Sequence, residues 1–211
     1  MWASYSADIS GEVTKAQQKG LANILKAVLS TSKIKNENVA EVSAAYNQVS
    51  AFLSRQPGFS NVLGSMQSFS RRYTTDPRLR SIVRDIDTVE RDIERATAPR
   101  EMLKLLLQKM FSRKEVQFSD KNIEIETANH IKIELSALSS GEKQLLRIFI
   151  ETLMAGENTN LIDEPELSMH IDWQRALVQS MSHLNPKAQI ILATHSPEIM
   201  ANMREDLIFR L

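Results

Sequence analysis

The chain has 211 residues, enough for one large domain or two small ones. Its 26 basic and 26 acidic residues balance, so net charge does not support nucleic-acid or membrane binding, and the lack of cysteine excludes disulfides and thiolate metal sites. No apolar run approaches the roughly 18 residues of a membrane span, and residues 1–8 do not resemble a signal peptide, so we expect a cytoplasmic protein.

Apolar residues recur at helical spacing from about residue 10 to residue 114. A first helix is predicted around one apolar face, and a second follows after the loop-like Ser30–Ser32. Gln56–Gly58 is expected to end that second helix, and a shorter helix is expected from Val62 to Tyr73. The residues of the two faces are Leu21, Ile24, Leu25 and Val28, then Val39, Val42, Ala45, Val49 and Leu53.

The clearest helical pattern is a narrow apolar seam flanked by charged residues. Its members step by four, three and four residues, which predicts an antiparallel hairpin or a short coiled coil. They are Ile82, Ile86, Val89 and Ile93. Thr97–Pro99 is predicted to break this helix and to start another, with Pro99 in the first turn.

A short basic cluster lies at the start of this region. It consists of Arg71, Arg72, Arg78 and Arg80. A solvated surface is the favoured interpretation, and a phosphate or partner contact is the alternative.

Near Lys114 the apolar period changes from helical to alternating. The alternation covers Val116 and Phe118, then Ile123 and Ile125, then Ile131, Ile133 and Leu135. It predicts two or three antiparallel strands.

From Leu138 onward helices and strands alternate, which favours a parallel sheet with crossover helices. We expect a helix near Gly141, a strand Asn160–Asp163 and a helix Ser168–Leu184. The continuous apolar run Ile190–Ala193 is typical of a parallel strand buried on both faces. Ser196–Glu198 is predicted to start a further helix, and Leu207–Phe209 to form a last strand.

Two acids, Asp163 and Glu164, close an apolar strand and should lie at the carboxyl edge of the sheet, where ligands bind. One acid there could hold Mg²⁺ directly or through water, and the second could activate the water that attacks a γ-phosphate. The alternative is that Asp-Glu-Pro is simply a turn.

Two further segments have both a structural and a functional interpretation. Ser139 and Glu142 form a capping box, and the same helix start could bind an anionic phosphate, with Gly141 allowing close approach. His195, just past a buried strand, could be a capping residue or could contact a γ-phosphate as a donor.

Together, in this order, the three segments resemble the ATP-binding-cassette (ABC) ATPases. The resemblance is strongest to the soluble branch of SMC-like, RecF-like and overcoming-lysogeny-defect (OLD)-like proteins and related ATPases of anti-phage systems. Leu138–Glu142 matches the signature Leu-Ser-Gly-Gly-Gln, with Ser140 for the first Gly and Glu142 for the Gln. Leu161–Glu164 matches Walker B, and Glu166–Trp173 occupies the D-loop. Ile171 stands where a Pro is often seen, and His195 matches the switch histidine.

One motif of the family does not occur in these 211 residues. None of the six glycines begins the Gly-x-x-x-x-Gly-Lys of a P-loop, the Walker A motif. The resemblance therefore implies a C-terminal piece of an ABC-type ATPase domain. The expected fold is α/β: a P-loop NTPase-like C-terminal lobe at 115–211, preceded by a mostly helical insertion or arm of helical hairpins at 1–114, with a short antiparallel β segment.

The resemblance also implies a mechanism and partners. Two cassettes pair head to tail, as homo- or heterodimer, and ATP lies between the P-loop of one and the signature of the other. Asp163 would bind Mg²⁺, while Glu164 and His195 would be catalytic. The nucleotide-binding signature residues would be Ser139, Ser140, Gly141 and Glu142. ATP would thereby switch a partner or effector, in anti-phage defence or DNA maintenance.

The main alternative is a non-catalytic helical protein-binding module with incomplete ATPase motifs. A third hypothesis is an OLD-type nuclease-linked ATPase, but no Toprim-like acidic cluster follows His195.

Overall fold

The computed structural model describes residues 2–29, 42–54, 63–119 and 122–209, and the predicted loops at 30–32 and 56–58 lie outside these ranges. None of the described helices is long and apolar enough to cross a membrane. The helices are α1 (Trp2–Leu29), α2 (Val42–Ser54), α3 (Met66–Thr75), α4 (Pro77–Met110), α5 (Ser140–Met154), α6 (Ile171–Leu184) and α7 (Pro197–Met200). The strands are β1 (Lys114–Phe118), β2 (Ile123–Thr127), β3 (Lys132–Ile133), β4 (Thr159–Asp163) and β5 (Gln189–Ala193).

The chain divides into two compact units. The helical unit is Ile9–Ala96, and the α/β unit is Met1–Asp8 with Thr97–Leu211. In sequence the second unit boundary falls at residue 97, because the second half of α4 buries Leu103 and Leu107 in the core of the α/β unit. The assignment of an arm to 1–114 and of an ATPase lobe to 115–211 stays a prediction.

The helical unit has its own apolar core, made of Ala45, Val49, Phe69, Val83 and Ile86. The predicted seam on α4 is confirmed at its centre, where Ile86 and Val89 are buried. Gly20 of α1 faces Val89 so closely that a Cβ there would lie 2.2 Å from its Cγ2. The shorter helix starts later than predicted because Ser65 caps it, its side chain accepting the N–H of Ser68.

The predicted helix break at Thr97–Pro99 is wrong. Helix α4 runs without interruption through Pro99. Proline inside a helix removes one main-chain hydrogen bond and strains the preceding turn. This cost is offset because α4 is buried before and after Pro99, at Val89 and at Leu103.

The antiparallel strands predicted after Lys114 are confirmed, and three are present in the order β1-β2-β3. Val116 pairs with Ile125, which pairs in turn with Ile133. The first turn of α1 packs against this sheet. The indole N–H of Trp2 donates to the carbonyl of Ser119 at 3.0 Å, and its ring packs against Phe118.

The parallel pairing predicted for the last part of the chain is confirmed between β4 and β5. Helices α5 and α6 cover one face of this sheet and bury Leu145, Phe149, Leu177 and Met181. A buried polar group joins the sheet to both helices. The Asn160 side chain donates to the Thr152 hydroxyl, and the Asn185 side chain donates to the Thr152 carbonyl.

Three expectations for this region are corrected. Strand β5 is not buried on both faces, because Ile191 is 44% exposed and its neighbour Leu161 on β4 is 72% exposed. Leu207–Phe209 forms no strand: Leu207 ends a 3-10 turn, and these residues pair with none of the described strands. Helix α6 begins at Ile171 instead of Ser168, because Ser168 has a left-handed backbone (φ 62°).

Candidate functional site

The carboxyl ends of β4 and β5 meet, because the two strands are parallel and Asp163 pairs with Ala193. The N–H of Glu164 donates to the Ala193 carbonyl at 2.8 Å, which extends the pairing by one step. Residues that follow the two strands are therefore neighbours, as expected at such a sheet edge.

Glu164 and His195 come together at this edge. The Glu164 carboxylate lies 3.4 Å from Nε2 of His195. The His195 side chain is 93% exposed and that of Glu164 is 34% exposed, so both can reach a ligand in solvent. Glu164 has a left-handed backbone (φ 46°), which is uncommon for this residue type and is often found at functional sites.

Asp163 is an exposed carboxylate at the end of β4, next to Glu164. No group of three His, Cys, Asp or Glu side chains able to hold a metal ion occurs among the described residues. Mg²⁺ does not need such a group, because it is usually bound by one or two carboxylates together with water and substrate phosphates. The carboxylates present therefore fit Mg²⁺ when it comes with a nucleotide.

Glu166 is a functional candidate to which the sequence assigned no individual role. Its Oε1 accepts the backbone N–H of His195 at 2.8 Å. Burial alone would raise the pKa of Glu166, but hydrogen bonds from the Thr194 hydroxyl and from backbone N–H groups hold that pKa below its usual range. The only signal in the sequence was a second acid two positions after Glu164.

Gln174 makes a second connection between the segments that follow β4 and β5. Its Nε2 donates to the Met169 carbonyl at 2.9 Å, and its Oε1 accepts the hydroxyl of Ser196 at 2.7 Å. Ser196 in turn caps α7 by accepting the N–H of Ile199. Nothing in the sequence pattern singled out Gln174.

The predicted capping box at the start of α5 is confirmed. The Ser139 hydroxyl accepts the N–H of Glu142 at 3.3 Å, and the Glu142 carboxylate accepts the N–H of Ser139 at 2.9 Å. The other oxygen of Glu142 bonds to Lys114 on β1. Burial alone would raise the pKa of Glu142, but the bonds from Lys114 and Ser139 hold that pKa below its usual range.

Gly141 lies against the turn that follows β4. A Cβ at this position would be 2.3 Å from the carbonyl oxygen of Ser168, so only glycine fits here without movement of the backbone. Ser139 and Ser140 remain exposed at the helix start. The space beside the Gly141 Cα is thus filled by the main chain of this turn, and the predicted role of Gly141 in phosphate binding stays a prediction.

The structure brings together some of the predicted site residues and separates others. Asp163, Glu164 and His195 share one edge of the parallel sheet. Within the described part of the chain, no hydrogen bond or ion pair links them to the signature residues 139–142.

The basic cluster shows one structural contact. Arg80 donates to the carbonyls of Tyr73 and Thr74 at the end of α3, while Arg71, Arg72 and Arg78 are exposed. A solvated surface stays the prediction for the exposed three.

The family described as "AAA domain, putative AbiEii toxin, Type IV TA system" matches residues 35–201. The chain belongs to this AAA-domain family. The resemblance to the soluble SMC-, RecF- and OLD-like ATPases is confirmed by this match and by the relatives that follow.

Three curated relatives match parts of this AAA-domain chain. The retron Vc95 probable ATPase of Vibrio cholerae serotype O1 biovar El Tor is 31% identical over 93 residues, 38% of this chain and 18% of that protein. The Septu protein PtuA of Bacillus thuringiensis is 46% identical over 44 residues, which are 21% of this chain and 11% of that protein. The retron Ec83 probable ATPase of Escherichia coli is 29% identical over 84 residues, which are 34% of this chain and 16% of that protein. The matched stretches cover less than a fifth of each relative.

A solved structure also resembles the AAA-domain chain. It is the Smc head domain with an extended coiled coil from Pyrococcus furiosus, bound to the C-terminal domain of ScpA. The two are 18% identical with a TM-score of 0.39, over 95% of this chain and 51% of that chain.

Proposed function

We propose that this chain is part of an ABC-type ATPase that binds and hydrolyses ATP, with Mg²⁺, at a head-to-tail dimer interface and thereby switches a partner or effector. The observation that carries the proposal is the meeting of Glu164 and His195, 3.4 Å apart, beside Asp163 at the carboxyl edge of β4 and β5. Membership of the AAA-domain family and the two relatives named as probable ATPases support it. A role in anti-phage defence or DNA maintenance is part of the proposal.

Each residue at the edge has a role that its contacts allow. Asp163 would hold Mg²⁺, in part through water, and the ion supplies positive charge against the phosphates when bound. Glu164 would orient the attacking water and accept its proton, since its carboxylate reaches solvent. His195 would donate a hydrogen bond toward the charge that develops on the γ-phosphate.

The signature would bind the nucleotide held by the second cassette. The hydroxyl proton of Ser139 and the first backbone N–H groups of α5, at Ser140 and Gly141, are the donors suited to phosphate. Glu142 was expected among these residues, but Ser139 and Lys114 already occupy its two carboxylate oxygens. In the proposed site Glu142 therefore shapes the helix start and does not contact the nucleotide.

The phosphate cradle would come from a Walker A lobe outside these 211 residues. The outer face of the parallel sheet supports this, because Leu161 and Ile191 are exposed there. Parallel sheets are almost always covered on both faces, so this face suits an apolar surface of the missing lobe. The partner would be that lobe together with a second cassette.

Calorimetry with Mg-ATP tests the proposal. The 211-residue chain alone should give no measurable binding, whereas the full-length protein with its Walker A lobe should bind. In that protein Glu164→Gln should slow hydrolysis by about 10²–10⁴-fold and leave ATP binding intact. The control Glu157→Gln changes an exposed acid of the α5–β4 turn and should have no effect. Unchanged hydrolysis in Glu164→Gln would exclude the proposed catalytic role.

A helical protein-binding module is the second candidate, because Ile9–Ala96 forms a compact unit with its own core. Partner docking and cellular activity that persist unchanged in Glu164→Gln would favour it.

A further inference from the structure

The exposed His195 is fixed in space through its backbone. Its imidazole is 93% exposed and contacts Glu164 at 3.4 Å, so packing does little to hold the side chain. The stronger contact of His195 is the hydrogen bond that its backbone N–H donates to the Glu166 carboxylate at 2.8 Å. The place of the imidazole therefore depends on where Glu166 holds the chain.

Glu166 continues the connection between the two chain segments beyond the last main-chain hydrogen bond of β4 and β5. The last main-chain bond of the pair joins the Glu164 N–H to the Ala193 carbonyl. Beyond it the chain turns away, since Glu164 has a left-handed backbone and Pro165 has no N–H to give. The Glu166 carboxylate then accepts the His195 N–H in place of a main-chain carbonyl.

The backbone of Glu166 is itself held in place. The backbone carbonyl of Glu166 accepts the N–H of Met169 at 2.9 Å, which closes the turn after β4. An ionised acceptor forms a shorter and stronger hydrogen bond than a neutral one, so the link from the carboxylate to His195 is stiffer than an ordinary strand contact.

A second side chain works in parallel. Gln174 of α6 binds the Met169 carbonyl and the Ser196 hydroxyl at the same time. The turn after β4 and the segment after β5 are thus joined at two points, at His195 itself and at the next residue, Ser196.

We propose that Glu166 is the positioning residue of this site, which sets His195 opposite Glu164 by binding its backbone N–H, with Gln174 as the second tie. Its consequence for hydrolysis rests on the proposed ATPase function, whereas the link itself can be measured without nucleotide. In the complete ATPase, loss of the link should lower kcat and leave the affinity for ATP unchanged, because Glu166 acts through the backbone of His195.

Amide NMR of the 211-residue chain tests the link. The chain has four histidines, so selective ¹⁵N-histidine labelling gives four backbone amide signals, and His195→Gln identifies the relevant one. In Glu166→Ala the His195 amide proton should move upfield and exchange with solvent about tenfold faster or more. The signals of His130 and His183, which lie outside the turn after β4, should stay in place. Glu157→Gln is the control for removal of an acid at the opposite, amino-terminal end of β4, which pairs with Lys187 and makes no such bond.

Glu166→Gln separates positioning from a general loss of structure. The amide oxygen of glutamine can still accept the His195 N–H, so protection should be partly restored, with exchange intermediate between wild type and Glu166→Ala. An unchanged His195 signal in Glu166→Ala would overturn the proposal. If that variant does not fold, Glu166→Gln decides, and wild-type exchange at His195 in it would overturn the proposal.

Failure of this inference differs from failure of the proposed function. Lost ATP turnover in Glu166→Gln with an unchanged His195 signal would contradict the positioning role and leave the ATPase intact as a proposal. A shifted His195 signal in Glu166→Ala, in a protein that does not hydrolyse ATP, would support the positioning role and contradict the proposed ATPase function.

Discussion

Replacing Gly141 by alanine should weaken the α/β unit, because the new Cβ would meet main-chain atoms. It would lie 2.3 Å from the carbonyl oxygen of Ser168 and 3.3 Å from its carbon. A backbone obstacle cannot rotate away, so α5 or the turn must shift. Such overpacking costs about 1–3 kcal/mol, and the better helix propensity of alanine offsets up to about 1 kcal/mol. Because the obstacle is main chain, we expect the upper part of the overpacking range, about 2–3 kcal/mol. With about 1 kcal/mol subtracted for helix propensity, the net loss of about 1–2 kcal/mol should lower the melting temperature by about 2–8 °C.

Tryptophan fluorescence during urea unfolding can follow this loss, because both tryptophans, Trp2 and Trp173, lie in the α/β unit. The matched control is Gly11→Ala in α1, where a Cβ would meet no atom within 4 Å. Gly11 lies in the helical unit, so the tryptophan transition of this variant should stay at the wild-type midpoint. A midpoint for Gly141→Ala equal to or above that of wild type would refute the close-packing argument.

Three further predictions concern other contacts. Lys114→Met should destabilise the α/β unit by about 1–3 kcal/mol, because it leaves Glu142 without its charged partner. The folded state holds the pKa of Glu142 below its ordinary value of 4.5. This stabilisation is therefore complete above about pH 4.5 and is lost as the pH falls further. In Lys114→Met the stability of the α/β unit should depend less on pH in an acid titration. Gly20→Ala should destabilise the helical unit by about 1–3 kcal/mol through contact with Val89, and adding Val89→Ala should recover part of the loss by circular dichroism. Pro99→Ala should raise stability by about 1–3 kcal/mol in thermal unfolding, because it supplies the N–H missing inside α4.

Each of these has an outcome that would contradict it. Equal acid transitions in wild type and Lys114→Met would mean that the ion pair does not support the cap. Additive losses for Gly20→Ala and Val89→Ala would mean that the two positions do not compete for space. A Pro99→Ala chain no more stable than wild type would indicate that the helix is already relaxed there.

Local patterns in the sequence were sufficient for the caps and the parallel sheet. The capping box at Ser139 involves residues three apart, so its chemistry is visible in the sequence. The meeting of Asp163, Glu164 and His195 followed from one topological rule, that neighbouring parallel strands end at the same edge.

Contacts between distant residues were not predictable in the same way. Glu166 and His195 are 29 positions apart, and Lys114 and Glu142 are 28 apart; each pair depends on a tertiary approach that no periodicity encodes. The continuation of α4 through Pro99 has a similar origin. Local propensity predicted a break, and burial on both sides of the proline outweighed it.

The buried Asn160 on β4 trades stability for a single strand register. In the sequence Asn160-Leu161-Ile162 the inward face is taken by Asn160 and Ile162, while the outward Leu161 would suit a core equally well. A slip of one residue would exchange the two faces. The amide of Asn160 finds its acceptor, the Thr152 hydroxyl, in only one of these alignments. An Asn160→Leu chain could therefore resist denaturant better than wild type and still populate two alignments, one of which moves Asp163 off its place beside Ala193.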